Sequence, residues 1–192
     1  NKNKMKIILA SSSPRRKEIL EKIGLKIEII KPEIDEKINR VDDIIEVAYL
    51  KAKNVFDKLE RKDDLIVIGA DTVVVVDNYI LGKPKDKKDA FNMIKLLRDK
   101  IHYVYTGLSL VTKHKSILDI SKTSIKVEYI SDEQIKRYIE KEEILDAAGA
   151  YKIQGLFSCF IKSIEGEYYN VVGLPLNKLY NILKKDFGLD II

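Results

Sequence analysis

The sequence predicts an α/β fold with a mixed, twisted sheet flanked by helices. Three observations carry that expectation. Short β-branched runs alternate with stretches whose apolar residues recur at helical spacing. The most apolar run, Leu65-Ile66-Val67-Ile68-Gly69-Ala70-Asp71-Thr72-Val73-Val74-Val75-Val76, has the composition of a central strand buried on both faces. Turn signals at Asp77-Asn78 and His114-Lys115 mark hairpins, which add antiparallel pairs to the sheet.

Each element has a local reason. Residues 6–10 read as a buried strand. Ser13 is placed to cap a helix with Pro14 at its first position, where a missing N–H costs nothing. Ile19, Leu20 and Ile23 form its apolar face, and Gly24 stops it. Residues 25–30 alternate as a second strand, and Pro32 opens a loop carrying Glu33, Asp35 and Glu36. Ile44, Val47, Ala48, Val55 and Phe56 define a helix over residues 41–59. The central strand returns through a short strand at 79–81, closed by Gly82-Lys83-Pro84. Asp86 or Asp89 caps a helix ending near Arg98, and strands follow at 102–112 and 116–129. Ser131 with Gln134 matches a capping box before a helix to Glu142. A glycine-bearing loop at 149–155, a short strand pair around Cys159 and Glu165, and a last helix at 175–186 complete the chain.

A chain of 192 residues with 45% hydrophobic side chains can bury a real core, so residues 5–192 are read as a single domain. Residues 1–4, ahead of Met5, are read as a disordered or appended tail outside it. The net charge of +5 comes from scattered lysines, which suits solubility and also an anionic ligand. The single cysteine, Cys159, excludes an intramolecular disulfide and fits a reducing compartment, so the cytoplasm is expected. Between Phe157 and Phe160 it reads as a buried small hydrophobe. No apolar run reaches the ~18 residues of a spanning helix, and no signal peptide is visible, so no membrane partner is expected.

The chemistry starts at Ile7-Ile8-Leu9-Ala10-Ser11-Ser12-Ser13-Pro14-Arg15-Arg16. A strand, a serine loop and a helix start loaded with two arginines make a phosphate-binding corner. Backbone N–H groups at a helix start favour anions, and the guanidinium fork matches phosphate oxygens. Asp71 is a carboxylate inside an apolar strand, where it needs a partner. It reads either as a strand-end Asp bonding a loop, or as a metal ligand or water-activating base with the Thr72 hydroxyl beside it. Glu33, Asp35 and Glu36 read as solvated charge unless they lie near Asp71, where they would hold Mg²⁺. Lys51 and Lys83 read by default as surface charge. His102 leads an apolar strand as a satisfied structural histidine. One cysteine and two histidines cannot build a zinc site, and neither a P-loop nor a dinucleotide-binding glycine run occurs. The residues alone point to an α/β protein that binds phosphates and hydrolyses them with a divalent metal.

The chain resembles the Maf family of nucleoside triphosphate pyrophosphatases, linked to septum formation. The resemblance rests on Leu9-Ala10-Ser11-Ser12-Ser13-Pro14-Arg15-Arg16 with Glu18, Ile19 and Leu20, on Asp35-Glu36, and on Ala48 with Lys51-Ala52. It continues through Gly69-Ala70-Asp71-Thr72-Val73-Val74 and Leu81-Gly82-Lys83-Pro84. Late matches are Asp146, Ala148-Gly149, Tyr151, Ile153-Gln154-Gly155 and Asn170-Val171-Val172-Gly173-Leu174-Pro175-Leu176.

The resemblance implies two lobes around a central cleft, like the Maf and inosine triphosphatase folds, and a homodimer. It implies cleavage between the α- and β-phosphates, with Mg²⁺ or Mn²⁺. Asp71 then takes the proton-acceptor role and touches the metal, with Glu36 as a metal-side carboxylate. Ser11, Arg15 and Arg16 hold the triphosphate, and Lys51 and Lys83 neutralise charge on the leaving pyrophosphate. Arg15, Thr72 and Gln154 stand at the family's specificity positions. One branch of the family, acting on dTTP and UTP, carries Ile-Gln-Gly after the tyrosine; the 7-methyl-GTP branch carries Ser-Glu-Gly. Gln154 offers both a donor and an acceptor to the O4/N3–H edge of uracil or thymine.

Two departures stand out. Arg98-Asp99 replaces a Ser-Gly turn before His102, and Glu167 replaces a small residue before Tyr168. Two other readings stay open at this stage. One is a nucleotide-sensing or nucleic-acid-binding protein in septum formation; the other is a hydrolase for inosine-type purine triphosphates. Against nucleic acid, no RNP-like motif is present, and Tyr103, Tyr105 and Tyr129 read as core or cleft lining.

Overall fold

The computed structural model describes residues 5–35 and 37–192. A seven-stranded mixed sheet runs in the order β2-β1-β3-β5-β6-β7, with β4 paired to β3. The strands are β1 (Lys6–Ala10), β2 (Ile27–Ile29), β3 (Leu65–Val76), β4 (Tyr79–Leu81), β5 (Ile101–Val111), β6 (Ser116–Val127) and β7 (Ile161–Glu165). β1 lies parallel to both β2 and β3, with Ala10 opposite Gly69. β3 turns into antiparallel β4 through Asp77 (φ 47°) and Asn78 (φ 69°). Two left-handed residues are what a tight two-residue hairpin needs to match strand twist. β7 pairs antiparallel with β6.

The described residues divide into two compact units. The first runs to Asp71 and takes in Thr106–Ser121 and Gly173–Ile192; the second is Thr72–Tyr105 with Lys122–Val172. β3, β5 and β6 each contribute residues to both.

In the first unit, Ile8 and Ala10 of β1 and Leu65 and Val67 of β3 pack with Ala52, Val55 and Phe56 of α2 (Asp43–Lys58). Helix α1 (Pro14–Lys22) begins as the sequence predicts, with the Ser13 side chain accepting from the Arg16 N–H. Gly24 (φ 82°) follows its end, in the left-handed region where a side chain is disfavoured. Helix α6 (Leu176–Phe187) buries Leu179, Ile182 and Leu183.

In the second unit, α3 (Lys87–Leu97) is capped by Asp86, and α4 (Asp132–Lys141) by the Ser131/Gln134 box. A short helix α5 (Tyr168–Val172) adds an element that strand-like Tyr-Tyr-Asn-Val-Val does not announce. Buried Asn170 holds it, donating to the Val104 carbonyl (3.1 Å) and the Thr123 hydroxyl (3.0 Å).

The structure corrects several expectations. Cys159 is exposed, within a 3₁₀ turn Leu156–Phe160 rather than a strand pair. Three residues per turn put Phe157 and Phe160 on one side, 5.8 Å apart, and leave Cys159 facing outward. Tyr103 and Tyr129 are exposed rather than core: alternation along β5 sends His102 and Val104 inward and Tyr103 outward, and Tyr129 lies past the end of β6. Lys122 lies over the Tyr103 ring and Arg98 over Tyr129. The Arg98-Asp99 departure keeps its turn: Asp99 takes the left-handed conformation (φ 60°) that a glycine would supply. Among the described residues no helix is long and apolar enough to cross a membrane.

His102 is completely buried in β5, and burial pushes its pKa from 6.5 down to about 4. Unfolded His102 takes up a proton below pH 6.5, whereas the native imidazole resists protonation until about pH 4. The unfolded state therefore binds more protons across that window, and stability falls as pH falls through it, by up to about 3 kcal/mol. Asp43 and Asp132 have lowered pKa values, so their contributions are lost below this window. Urea midpoints measured from pH 7 to pH 4.5 should decline steadily, and His102→Gln should flatten the decline.

Candidate active site

The register of β1 against β3 assembles the core of the site. Ala10, the last residue of β1, sits beside Gly69, so Ser11 leaves the sheet next to the stretch of β3 that carries Asp71, two residues past Gly69; neighbouring strands lie about 5 Å apart. This is the carboxyl end of β1, where its parallel pairing with β3 stops, and α/β folds place their ligands at the carboxyl ends of parallel strands. Ser11 is buried, and its hydroxyl accepts from the Ser13 N–H (3.0 Å) and from Arg16 Nη1 (3.5 Å). Arg16 Nε donates to the Gly173 carbonyl (2.7 Å), so that guanidinium is buried and fixed. Arg15, its neighbour at the start of α1, remains half-exposed.

Asp71 is 7% exposed and meets Lys51, which is 5% exposed. The Lys51 ammonium donates to Asp71 Oδ1 (3.0 Å) and to the Ala70 carbonyl (3.3 Å). Lys51 is therefore not the surface charge that its residue type suggests. The pair meets the requirement that a buried carboxylate have a partner.

Close approach of α2 makes this pairing possible. A Cβ on Gly69 would lie 2.2 Å from the Ala48 carbonyl oxygen, and one on Gly107 of β5 would lie 2.5 Å from that of Ile44. Ser109 donates to the Ala48 carbonyl at 3.1 Å. The helix backbone thus rests directly on strand backbone, with two glycines and a serine as its seat. Gly69 and Asp71 share one face of β3, so the same seating carries Lys51 to the carboxylate. Sequence reasoning gave Gly69 no role of its own; the signal was a lone glycine inside a β-branched run.

The remaining predicted residues belong to the second unit. Thr72 follows Asp71 on β3, half-buried and on the opposite strand face. Lys83 is exposed just after β4, beside Gly82, whose carbonyl accepts from the Gly149 N–H (3.1 Å). Gln154 is exposed and lines a groove of about 630 Å³ with Ser158, Lys162, Ser163 and Tyr168.

The acidic loop contributes less than its composition promises. Glu33 pairs with Lys58 (2.9 Å), whose hydrogen bond and charge hold its pKa below the usual carboxylate value, and Asp35 is exposed. Glu36, expected beside the metal, lies outside the described residues. Among the described residues no group of three acidic, histidine or cysteine side chains could hold a metal ion.

Removing one member of the buried pair strands the other. Lys51→Met should destabilise the fold by about 3–5 kcal/mol in urea unfolding, and Lys51→Met/Asp71→Asn should recover much of that loss. Gly69→Ala should cost about 1–3 kcal/mol, because α2 must move outward.

The sequence matches known proteins over nearly its whole length. The family model described as Maf-like protein matches residues 6–186. A dTTP/UTP pyrophosphatase of Alkaliphilus oremlandii is 49% identical over 97% of this chain and 98% of its own. The protein of that name from Thermoanaerobacter sp. (strain X514) is 44% identical over 98% of this chain and all of its own. One from Clostridium botulinum (strain Alaska E43 / Type E3) is 45% identical over 94% of this chain and 99% of its own. Among solved structures, the Staphylococcus aureus Ham1 protein aligns with a TM-score of 0.48 at 16% identity, covering 64% of this chain and 71% of its own, and adds nothing to the assignment. The matched signatures span both units, and the chain belongs to the Maf-like protein family.

Proposed function

We propose that this chain hydrolyses dTTP and UTP to the monophosphate and pyrophosphate. The relatives that carry this activity in their names support the reaction, and Ile153-Gln154-Gly155 supports the pyrimidine preference. The observation that carries the reading is the buried Lys51–Asp71 pair, emerging beside the Ser11/Arg16 corner.

In this reading Ser11, Arg15 and Arg16 bind the triphosphate, with the fixed Arg16 guanidinium setting its register. Water attacks the α-phosphorus, and Asp71 takes the proton that the water loses. The bond from the α-phosphorus to the bridging oxygen breaks, and its electron pair leaves with pyrophosphate. Lys51 holds Asp71 in place and, with Lys83, balances the charge that grows on the leaving group. Thr72 and Gln154 act on substrate choice.

One or two carboxylates together with substrate phosphates is the donor set that commonly holds Mg²⁺, so Asp71, with Glu36, suits a divalent cation. Mg²⁺, or Mn²⁺ in its place, would supply charge neutralisation on the phosphates. A cytoplasmic homodimer completes the proposal. An exposed unpaired thiol supports a reducing compartment, and light scattering tests the dimer.

Purified protein with Mg²⁺ should release pyrophosphate, not orthophosphate, from UTP and dTTP, and chelation by EDTA should abolish release until Mg²⁺ is restored. Asp71→Asn should lower kcat about 10²–10⁴-fold while far-UV circular dichroism stays unchanged. Full turnover by that variant removes Asp71 as the base. Gln154→Glu should shift the kcat/KM ratio away from UTP and toward GTP.

A further inference from the structure

We infer that His102 and Tyr151 are positioning residues for base recognition: a buried hydrogen-bonded pair that holds the loop presenting Gln154. The inference rests on the pyrimidine reading above. Gln154 is exposed, and its side chain makes no hydrogen bond among the described residues, so its direction is inherited from the backbone.

That backbone is held in a conformation it would not adopt alone. Gly149 (φ 71°) and Ala150 (φ 64°) are consecutive left-handed residues, and an alanine there is strained. A Cβ on Gly149 would also lie 2.8 Å from the Val74 side chain. Such a turn persists only where its surroundings over-determine it. The Gly149 N–H donates to the Gly82 carbonyl (3.1 Å), and the Tyr138 hydroxyl donates to the Ala150 carbonyl (2.9 Å). Downstream, the Leu156 N–H donates to Glu142 Oε1 (2.7 Å).

Tyr151 is the anchor nearest Gln154 on its amino-terminal side. Its ring stacks on Phe157 at 4.5 Å between centroids, and its hydroxyl lies 2.6 Å from His102 Nε2. Stacking places the ring; the hydrogen bond sets its depth. The same turn touches Gly82, next to Lys83, so one anchor serves two predicted site residues.

His102 is an expensive choice for this position. It is 0% exposed, and its Nδ1 has no hydrogen-bond partner. If the phenol donates to Nε2, only the Nδ1–H is unpaired; the opposite arrangement leaves both Nδ1 and the phenol proton without partners. Either way a phenylalanine would fill the space with no orphaned nitrogen. The hydrogen bond to Tyr151 is what the imidazole supplies and a hydrocarbon ring cannot.

Tyr151→Phe keeps the stacked ring and deletes only the hydroxyl. It should lower the UTP-over-GTP ratio of kcat/KM by roughly tenfold. In a Gln154→Ala background the same substitution should change the ratio by less than about twofold, because the effect runs through Gln154. His102→Gln, which keeps an acceptor for the phenol, should retain more of the preference than His102→Leu. A uniform fall in kcat/KM for all nucleotides, with the ratio preserved, overturns the inference. If the wild-type protein releases no pyrophosphate from any nucleotide, the proposed function fails instead. The anchor is then read by amide hydrogen exchange: faster exchange over residues 148–156 in Tyr151→Phe supports it, and unchanged exchange overturns it.

Discussion

An ammonium and a carboxylate meet out of water midway along β3, and that meeting requires a helix to lie on strand backbone. Lys51 and Asp71 are 20 residues apart in sequence and 3.0 Å apart in space. Neither could be buried alone without a penalty of several kcal/mol. Gly69, Gly107 and Ser109 remove the side-chain volume that would otherwise hold α2 off the sheet. The hydrophobic core of the first unit then forms around the same contact, through Ala52, Val55 and Phe56. Packing and site chemistry are thus one arrangement: whatever lifts α2 separates the charges as well.

The second unit uses a different device. It holds its exposed groups by anchoring a strained turn through aromatic side chains. Tyr138, Tyr151 and Phe157 pack together, and their two hydroxyls are spent on a carbonyl and an imidazole. Burial raises the pKa of both phenols, which favours their neutral form and leaves these contacts without a net charge for salt to screen. The first unit fixes charge with charge; the second fixes geometry with neutral hydrogen bonds.

How much of this was legible follows from the range of the forces involved. β1, β3, β4 and the start of α1 were readable to the residue because proline, caps and strand composition act locally, as Ser13-Pro14 and Asp77-Asn78 show. The capping box at Ser131 and Gln134 was equally local. Cys159 was misread because an i, i+3 pair of phenylalanines belongs to a 3₁₀ turn, whereas flanking bulk alone fits a strand. Helix α5 was missed because Asn170, bonded to residues 47 and 66 positions away, overrides its strand-like composition. At the site, Asp71 announced itself as a charge among valines. Lys51 did not, since one lysine among many shows its burial only once its partner is in place. The roles expected of Lys83 and Gln154 came from family resemblance, because exposed polar residues carry no local signature of what they bind.

The bond from Arg16 to the Gly173 carbonyl joins groups 157 positions apart. During synthesis the first unit is open until its final segment, Gly173–Ile192, arrives. Arginine and serine at the amino end therefore wait, unclamped, through most of translation. The alignment of Arg16 is completed late, so a chain ending before Gly173 carries the arginine without the carbonyl that fixes it.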